Sequence, residues 1–121
     1  MTETSPVSFG VSRSASLEKR CQTVGQIYPH CHAKIVSADD VTGQPLPINT
    51  PGELCTSGYI VMKGYWKDEA KTKEVVQTHK DSASGKEMTW MRTGDVASMD
   101  EEGYVRIVGR EKDVIIRGGE K

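Results

Sequence analysis

The sequence lacks any apolar run approaching the roughly 20 residues that a membrane-spanning helix requires. Its start, MTETSPVSFG, has no basic residue and no apolar segment, so it is unlike a secretory signal, and it lacks the arginines of a mitochondrial transit peptide. The net charge is -1, so composition gives no reason to expect nucleic-acid or membrane-surface binding. We therefore expect neither a transmembrane segment nor a nucleic-acid partner.

Cysteines are few, and internal repeats and low-complexity tracts are absent. The three cysteines, Cys21, Cys31 and Cys55, are odd in number and widely spaced, which argues against a disulfide scaffold and fits a reducing compartment. Cys55 is expected to face a core as a small apolar side chain. An intracellular location follows as an expectation, with cytoplasm, mitochondrion and peroxisome left open. The 121 residues suffice for one modest domain.

Short strand patterns and glycine turns make up most of the chain. Strands are predicted over 33–37, 52–58, 59–62, 104–108 and 113–117, a helix over 68–76 with Asp68 as its N-cap, and an exposed loop over 77–89. Prolines between the first two strands keep that stretch irregular. The pattern predicts a mainly β fold with a short helix and antiparallel hairpins, arranged as a small barrel or open sheet.

Two segments carry groups suited to a nucleotide. Thr2 and Glu3 place a hydroxyl beside a carboxylate, a pair that can bind a phosphate oxygen and Mg²⁺ together. Asp95, which follows Thr93 and Gly94, can accept hydrogen bonds from the vicinal hydroxyls of a ribose. Taken alone, these residues are better explained as a frayed terminus and a turn aspartate.

Two further segments have weaker chemical character. Arg110, in GREKD, could place its forked donors on phosphate or ribose oxygens, or could simply guard a hairpin edge. Gly118 and Gly119 could cradle a ligand or turn the chain. The segment from Pro51 to Trp66 is interpreted as scaffold, with its aromatic rings packed over glycine turns.

A metal site at His30, Cys31 and His32 is ranked below a structural role. The two histidines would share one face of a strand while Cys31 would point to the other, and no fourth ligand is evident beyond Cys21.

In their order along the chain, these segments resemble consecutive motifs of the adenylate-forming (AMP-binding) superfamily. MTETSP resembles its Tyr-Gly-x-Thr-Glu motif, PGELCTSGYIVMKGYWKD its Gly-Glu-Leu block, MRTGDV its Thr-Gly-Asp motif and GREKDVIIRGGE its hinge motif. TETSPVSF, GYWKDEAKT and KDVIIRGGE together are most similar to medium-chain fatty acyl-CoA synthetases. The resemblance covers essentially the whole chain.

The resemblance implies a role for each matching residue. Thr2 would contact the α-phosphate of ATP and Glu3 would help hold Mg²⁺, while Asp95 would bind the ribose hydroxyls and Arg110 the ribose and phosphate region. Further along the chain, Lys112 would be the hinge, and Gly118 and Gly119 would line the CoA tunnel.

The resemblance also implies a place in a larger enzyme. Residues 1–110 would be the distorted β-barrel-like end of the large AMP-binding domain, and 111–121 the hinge and start of a C-terminal domain, so the chain would be a fragment truncated at both ends. The whole enzyme would be a ligase that uses ATP, Mg²⁺ and CoA, with a fatty acid as substrate. The alternatives are a catalytically inactive binding or regulatory module, or a fragment of another adenylate-forming enzyme.

Overall fold

The computed structural model describes residues 1–80 and 84–110. Nine helices and strands follow a 3-10 turn at Thr2–Thr4: β1 (Phe9–Gly10), α1 (Leu17–Gln22), β2 (Gln26–Ile27), β3 (Cys31–Val36), β4 (Gly52–Gly58), α2 (Glu69–Val75), β5 (Val76–Lys80), β6 (Glu87–Met99) and β7 (Val105–Arg110). The described part of the chain is therefore mainly β, as predicted, with helix α1 in addition to the predicted one.

The long strand β6 organises a curled, five-stranded antiparallel sheet. The strand order is β3-β4-β6-β5, and β7 pairs with the C-terminal half of β6. A separate two-stranded sheet joins β1 to β2. The prediction of antiparallel hairpins is thus confirmed, because every pairing in both sheets is antiparallel.

Apolar side chains cover both faces of the sheet because successive strand residues point in opposite directions. One face carries a cluster of Ile35, Leu54, Ala97 and Val105, and the other carries Val36, Cys55 and Trp90. Cys55 is buried, as predicted, and burial raises the pKa of its thiol to about 12. The adjacent pairs 35–36 and 54–55 thus contribute one residue to each face.

Both helices begin with side-chain caps. Asp68 accepts a hydrogen bond from the Lys71 amide at 2.9 Å, which confirms the predicted start of α2. Ser16 caps the unpredicted helix α1 through the Lys19 amide at 3.3 Å. Lys19 also contacts Asp100 and lies 2.9 Å from Glu102, and these two hydrogen bonds raise its pKa. The short helix α1 is thereby tied to the β6–β7 turn.

Two predicted elements were wrong, one because of a local turn and the other because of strand pairing. Residues 59–62 form a turn instead of a strand, because Gly58 at φ +123° ends β4 and its carbonyl accepts from the Val61 amide. Much of the predicted loop 77–89 is strand, because β5 pairs with the start of β6. The predicted strand 113–117 lies outside the described residues. None of the described helices has the length and apolarity needed to cross a membrane.

Candidate functional site

A bulged turn in β6 presents the candidate ribose-binding aspartate. Opposite β4, Cys55 pairs with Arg92 but Glu53 pairs with Val96, so β6 carries extra residues between these two points. We call residues 93–95 the bulged turn. Gly94 at its centre has φ +72°, a left-handed conformation that glycine adopts without steric cost. Bulges of this kind re-aim side chains and are frequent beside active sites.

A buried ion pair lies directly beneath the bulged turn. Arg92 donates from Nε to Glu53 Oε2 at 2.7 Å, and its Nη2 also contacts that oxygen. The side chains are 15% and 4% exposed, respectively. Glu53 Oε1 accepts from the Gly94 amide at 3.1 Å, and Arg92 also donates to the carbonyls of Ala38 and Asp40. The pair therefore joins β4, β6 and the loop after β3.

Thr93 provides a second attachment for the same turn. Its hydroxyl donates to the Leu54 carbonyl at 2.8 Å and accepts from the Asp95 amide at 3.1 Å. Because Thr93 is buried, these bonds are shielded from water. The backbone on both sides of Gly94 is consequently held by side chains of β4 and β6.

Asp95 and Arg110, two predicted nucleotide-binding residues, are brought together across β6 and β7. They are register partners, and Arg110 Nε donates to Asp95 Oδ1 at 2.9 Å. Their side chains are 28% and 62% exposed, so this ion pair is open to solvent. Exposed pairs are weak, which leaves both groups available to a ligand.

Thr2 and Glu3 lie in the 3-10 turn at the start of the chain. The Glu3 carbonyl accepts from the Met62 amide at 2.9 Å, and Glu3 Oε1 accepts from the Tyr65 hydroxyl at 3.1 Å. Burial and then this hydrogen bond raise the pKa of the Tyr65 phenol. Thr2 is exposed. The turn is thus held against residues 62–65, with the Glu3 carboxylate supported on one oxygen.

Two adjoining cavities gather most of these groups. One, of about 360 Å³, is lined by Glu3, Tyr65, Glu53, Arg92, Gly94 and Arg110, among others. The second, of about 250 Å³, includes Thr93 and Asp95 in its lining, and Met1 borders both. The Asp95–Arg110 pair therefore joins two cavities. Thr2 lines neither of them.

The remaining predicted residues divide into two groups. Lys112, Gly118 and Gly119 lie outside the described residues. Among the residues that are described, no group of three or more His, Cys, Asp or Glu side chains is arranged to hold a metal ion. Cys31 is buried whereas both neighbouring histidines are exposed.

Sequence reasoning missed the supporting residues Glu53, Arg92 and Tyr65. The available signal was Glu53, the one charged residue in the strand GELCTSG. A lone carboxylate in a strand that is buried on both faces requires a partner. Trp66, expected to pack over a glycine turn, is instead 88% exposed, and Tyr65 beside it makes the contact with Glu3.

Comparison with known proteins identifies the family. The profile of the family described as "AMP-binding enzyme" matches residues 1–66. This chain belongs to the AMP-binding enzyme family. The relatives that it resembles include acyl-CoA ligase sidI of Aspergillus fumigatus, 48% identical over 120 residues, and the mitochondrial medium-chain acyl-CoA ligase ACSF2 of Rattus norvegicus, 50% identical over 119 residues.

The family member described here spans only part of its relatives. These two alignments cover 99% and 98% of the chain but 19% and 18% of the relatives. Among solved structures, O-succinylbenzoate coenzyme A synthetase (MenE) of Bacillus subtilis in complex with AMP is similar at a TM-score of 0.74 and 32% identity, covering 99% of this chain and 22% of that one. The mainly β architecture is thus that of a segment of adenylate-forming enzymes.

Proposed function

We propose that the chain is part of an ATP-dependent fatty acyl-CoA ligase. In the first step a carboxylate oxygen of the fatty acid bonds to the α-phosphorus of ATP, and pyrophosphate leaves. In the second step the CoA sulfur bonds to the acyl carbon, the thiol proton is lost, and AMP leaves. The similarity to two acyl-CoA ligases over nearly the whole chain supports this reaction class.

The observation that carries the site assignment is the exposed Asp95–Arg110 pair between the two cavities. We assign Asp95 to the ribose hydroxyls, because a carboxylate accepts from both, and Arg110 to ribose or phosphate oxygens. When nucleotide enters, its hydroxyls and oxygens replace the hydrogen bond between the two side chains. The similar MenE structure contains AMP, which agrees with a nucleotide site in this fold.

Glu3 suits a magnesium ion that accompanies ATP. Magnesium binds one or two carboxylates together with substrate phosphate oxygens, and Glu3 borders the larger cavity with its Oε1 oriented by Tyr65. The ion would neutralise phosphate charge. Thr2, next to Glu3, is assigned to the α-phosphate by the family motif. In these roles, Glu3 and the ion would act by positioning the phosphate groups and stabilising their charge.

The division of the chain is also a proposal. Residues 1–110 form the β-rich end of the AMP-binding domain, and 111–121 contain the hinge at Lys112 and the CoA-tunnel glycines Gly118 and Gly119. Similarity to a relative described as mitochondrial favours mitochondria as the compartment. The alternative, an inactive binding module, has no contact among the described residues that favours it over the ligase.

The test is nucleotide turnover by the full-length ligase with Asp95→Ala. We expect AMP formation from ATP, a medium-chain fatty acid and CoA to fall at least about tenfold, since each 1.4 kcal/mol of lost interaction is a factor of ten. Glu87→Ala, an exposed carboxylate on the same strand, is the matched control. Unchanged AMP formation in Asp95→Ala would refute the site assignment. Wild-type protein that releases AMP but yields no acyl-CoA would refute the ligase.

A further inference from the structure

The contacts beneath the bulged turn point to a function for two residues outside the predicted nucleotide-binding set, Glu53 and Arg92. We propose that Glu53 and Arg92 are positioning residues that set the direction of the Asp95 carboxylate and hence the selectivity for ribose. This inference rests on the proposed function in one respect, namely that Asp95 binds the ribose. It assigns no new reacting group.

A hydrogen bond connects Glu53 to the backbone of the bulged turn. Glu53 reaches from β4 to the Gly94 amide, the peptide group immediately before the one that carries Asp95. Gly94 has φ +72° and an ideal Cβ there would meet nothing within 4 Å, so packing around it does not define the turn. The turn must therefore be held by hydrogen bonds. Glu53 supplies one of them and Thr93 supplies the others.

The buried negative charge of Glu53 is balanced by Arg92. A carboxylate that is 4% exposed is costly unless it is paired and hydrogen-bonded. Arg92 meets that requirement through two nitrogens on Oε2, which leaves Oε1 directed at the Gly94 amide. Arg92 is fixed in turn by the carbonyls of Ala38 and Asp40. The chain of contacts thus runs from the β3–β4 loop to the bulged turn.

The Glu53–Arg92 pair lies beside the larger cavity. Glu53, Arg92 and Gly94 line the larger cavity together with Arg110, the ion-pair partner of Asp95. A displacement of the turn would move Asp95 relative to Arg110. Small misplacements of a positioning group can cost up to about a hundredfold in rate, which makes such support functionally important.

The experiment compares AMP with 2′-deoxy-AMP on the full-length protein. Binding of each nucleotide is measured by calorimetry for the wild type and for Glu53→Gln, which keeps the side-chain shape but removes the charge. If Glu53 acts through Asp95, the variant weakens AMP binding roughly tenfold and 2′-deoxy-AMP binding by no more than about twofold, since only the former presents both hydroxyls.

A core variant controls for general destabilisation. Val105→Ala removes buried volume from the cluster of Ile35, Leu54 and Ala97 and deletes no hydrogen-bonding side chain at the bulged turn, so it should change the binding of both nucleotides by the same factor. Arg92→Lys, which retains the charge without the forked donors, should reproduce the ribose-selective loss. It is the second variant if Glu53→Gln does not fold.

Three results would overturn the inference. They are equal weakening of both nucleotides by Glu53→Gln and Arg92→Lys, no weakening by either, or a wild type that binds the two nucleotides equally. Failure of the proposed function is distinguishable from these outcomes. A wild type that prefers AMP, and loses the preference in the variants, but forms no acyl-CoA would refute the ligase and support the positioning residues.

Discussion

Two carboxylate–arginine pairs each have one member on β6, at Arg92 and Asp95, and the pairs differ in environment. The Glu53–Arg92 pair has side chains 4% and 15% exposed, whereas those of Asp95 and Arg110 are 28% and 62% exposed. The first has additional hydrogen bonds to three backbone groups on two segments, whereas the second, among the described residues, has a single side-chain hydrogen bond. The comparison indicates that the buried pair fixes the backbone while the exposed pair can exchange its partner for a ligand.

The difference follows from the cost of desolvation. Breaking a buried pair strands an uncompensated charge, so that removing one partner costs about 3–5 kcal/mol, while an exposed pair contributes about 0–1 kcal/mol. The exposed pair can therefore give up its hydrogen bond to an entering nucleotide at little cost. The buried pair is costly to break, and it can therefore keep the backbone of the site in place.

The largest predicted effect tests the buried pair. Glu53→Ala should lower the free energy of unfolding by about 3–5 kcal/mol, because Arg92 is left without its carboxylate and the Gly94 amide without its acceptor. Urea denaturation of the full-length protein measures it. The exposed Glu87→Ala should change stability by no more than about 0.5 kcal/mol. Equal effects of the two variants would show that Glu53 stabilises the fold no more than an exposed carboxylate does.

The next prediction concerns the turn between the pairs. Gly94→Ala should cost about 1–2 kcal/mol, since φ +72° is unfavourable for a residue with a Cβ even where space is open. Gly109→Ala on β7 is the matched control: its Cβ would also meet nothing within 4 Å, and its φ is not in the left-handed region. That variant should be neutral or slightly stabilising. A tolerated Gly94→Ala would mean that the turn does not require its left-handed residue.

The exposed pair should contribute little to stability. Asp95→Asn is expected to lower the free energy of unfolding by less than about 1 kcal/mol, because Arg110 remains hydrated when its partner is lost. The same variant should weaken AMP binding in the full-length protein. Urea midpoints and calorimetry on one preparation separate the two effects. A loss of stability as large as that of Glu53→Ala would remove the contrast between the pairs.

The sequence singled out the two residues of the exposed pair as candidate site residues, but it did not single out those of the buried pair. Asp95 and Arg110 lie in motifs whose order matches a known family, so their candidate roles could be stated without coordinates. Glu53 and Arg92 are 39 residues apart, and only the β4–β6 register brings them together. Strand 52–58 was predicted with correct bounds from its flanking glycines. Its internal carboxylate was not connected to a partner, because strand pairing is not encoded locally.

One of the two errors in the fold has the same origin. The polar stretch after α2 becomes strand β5 because β6 supplies a hydrogen-bonding partner, and strand propensity depends on such context. The apolar stretch 59–62 satisfies a strand pattern but follows a left-handed glycine that reverses the chain. Helix 68–76 was predicted well because its cap is local. Local signals therefore sufficed for the cap of α2, whereas strand β5 and the support of the site required tertiary structure.

The smallest expected effect is a change of stability with pH that comes from His79, whose pKa is influenced by Arg92 of the buried pair. Burial, and then the charges of Lys34 and Arg92, lower the pKa of His79 from 6.5, while Asp40 opposes this shift. Below pH 6.5 the unfolded chain therefore binds a proton that the native His79 resists, so stability should fall as pH decreases through this window and should not change above it. Asp40 has its pKa lowered from 3.8 by hydrogen bonds from Thr42, so its titration lies in a separate, more acidic window.

Urea midpoints on either side of pH 6.5 should show the decline in the wild type and a flatter profile in His79→Gln, with the exposed His32→Gln as control. An identical decline of stability in His79→Gln would mean that another group binds the proton. The expected electrostatic effect of the buried pair on His79 would then be wrong.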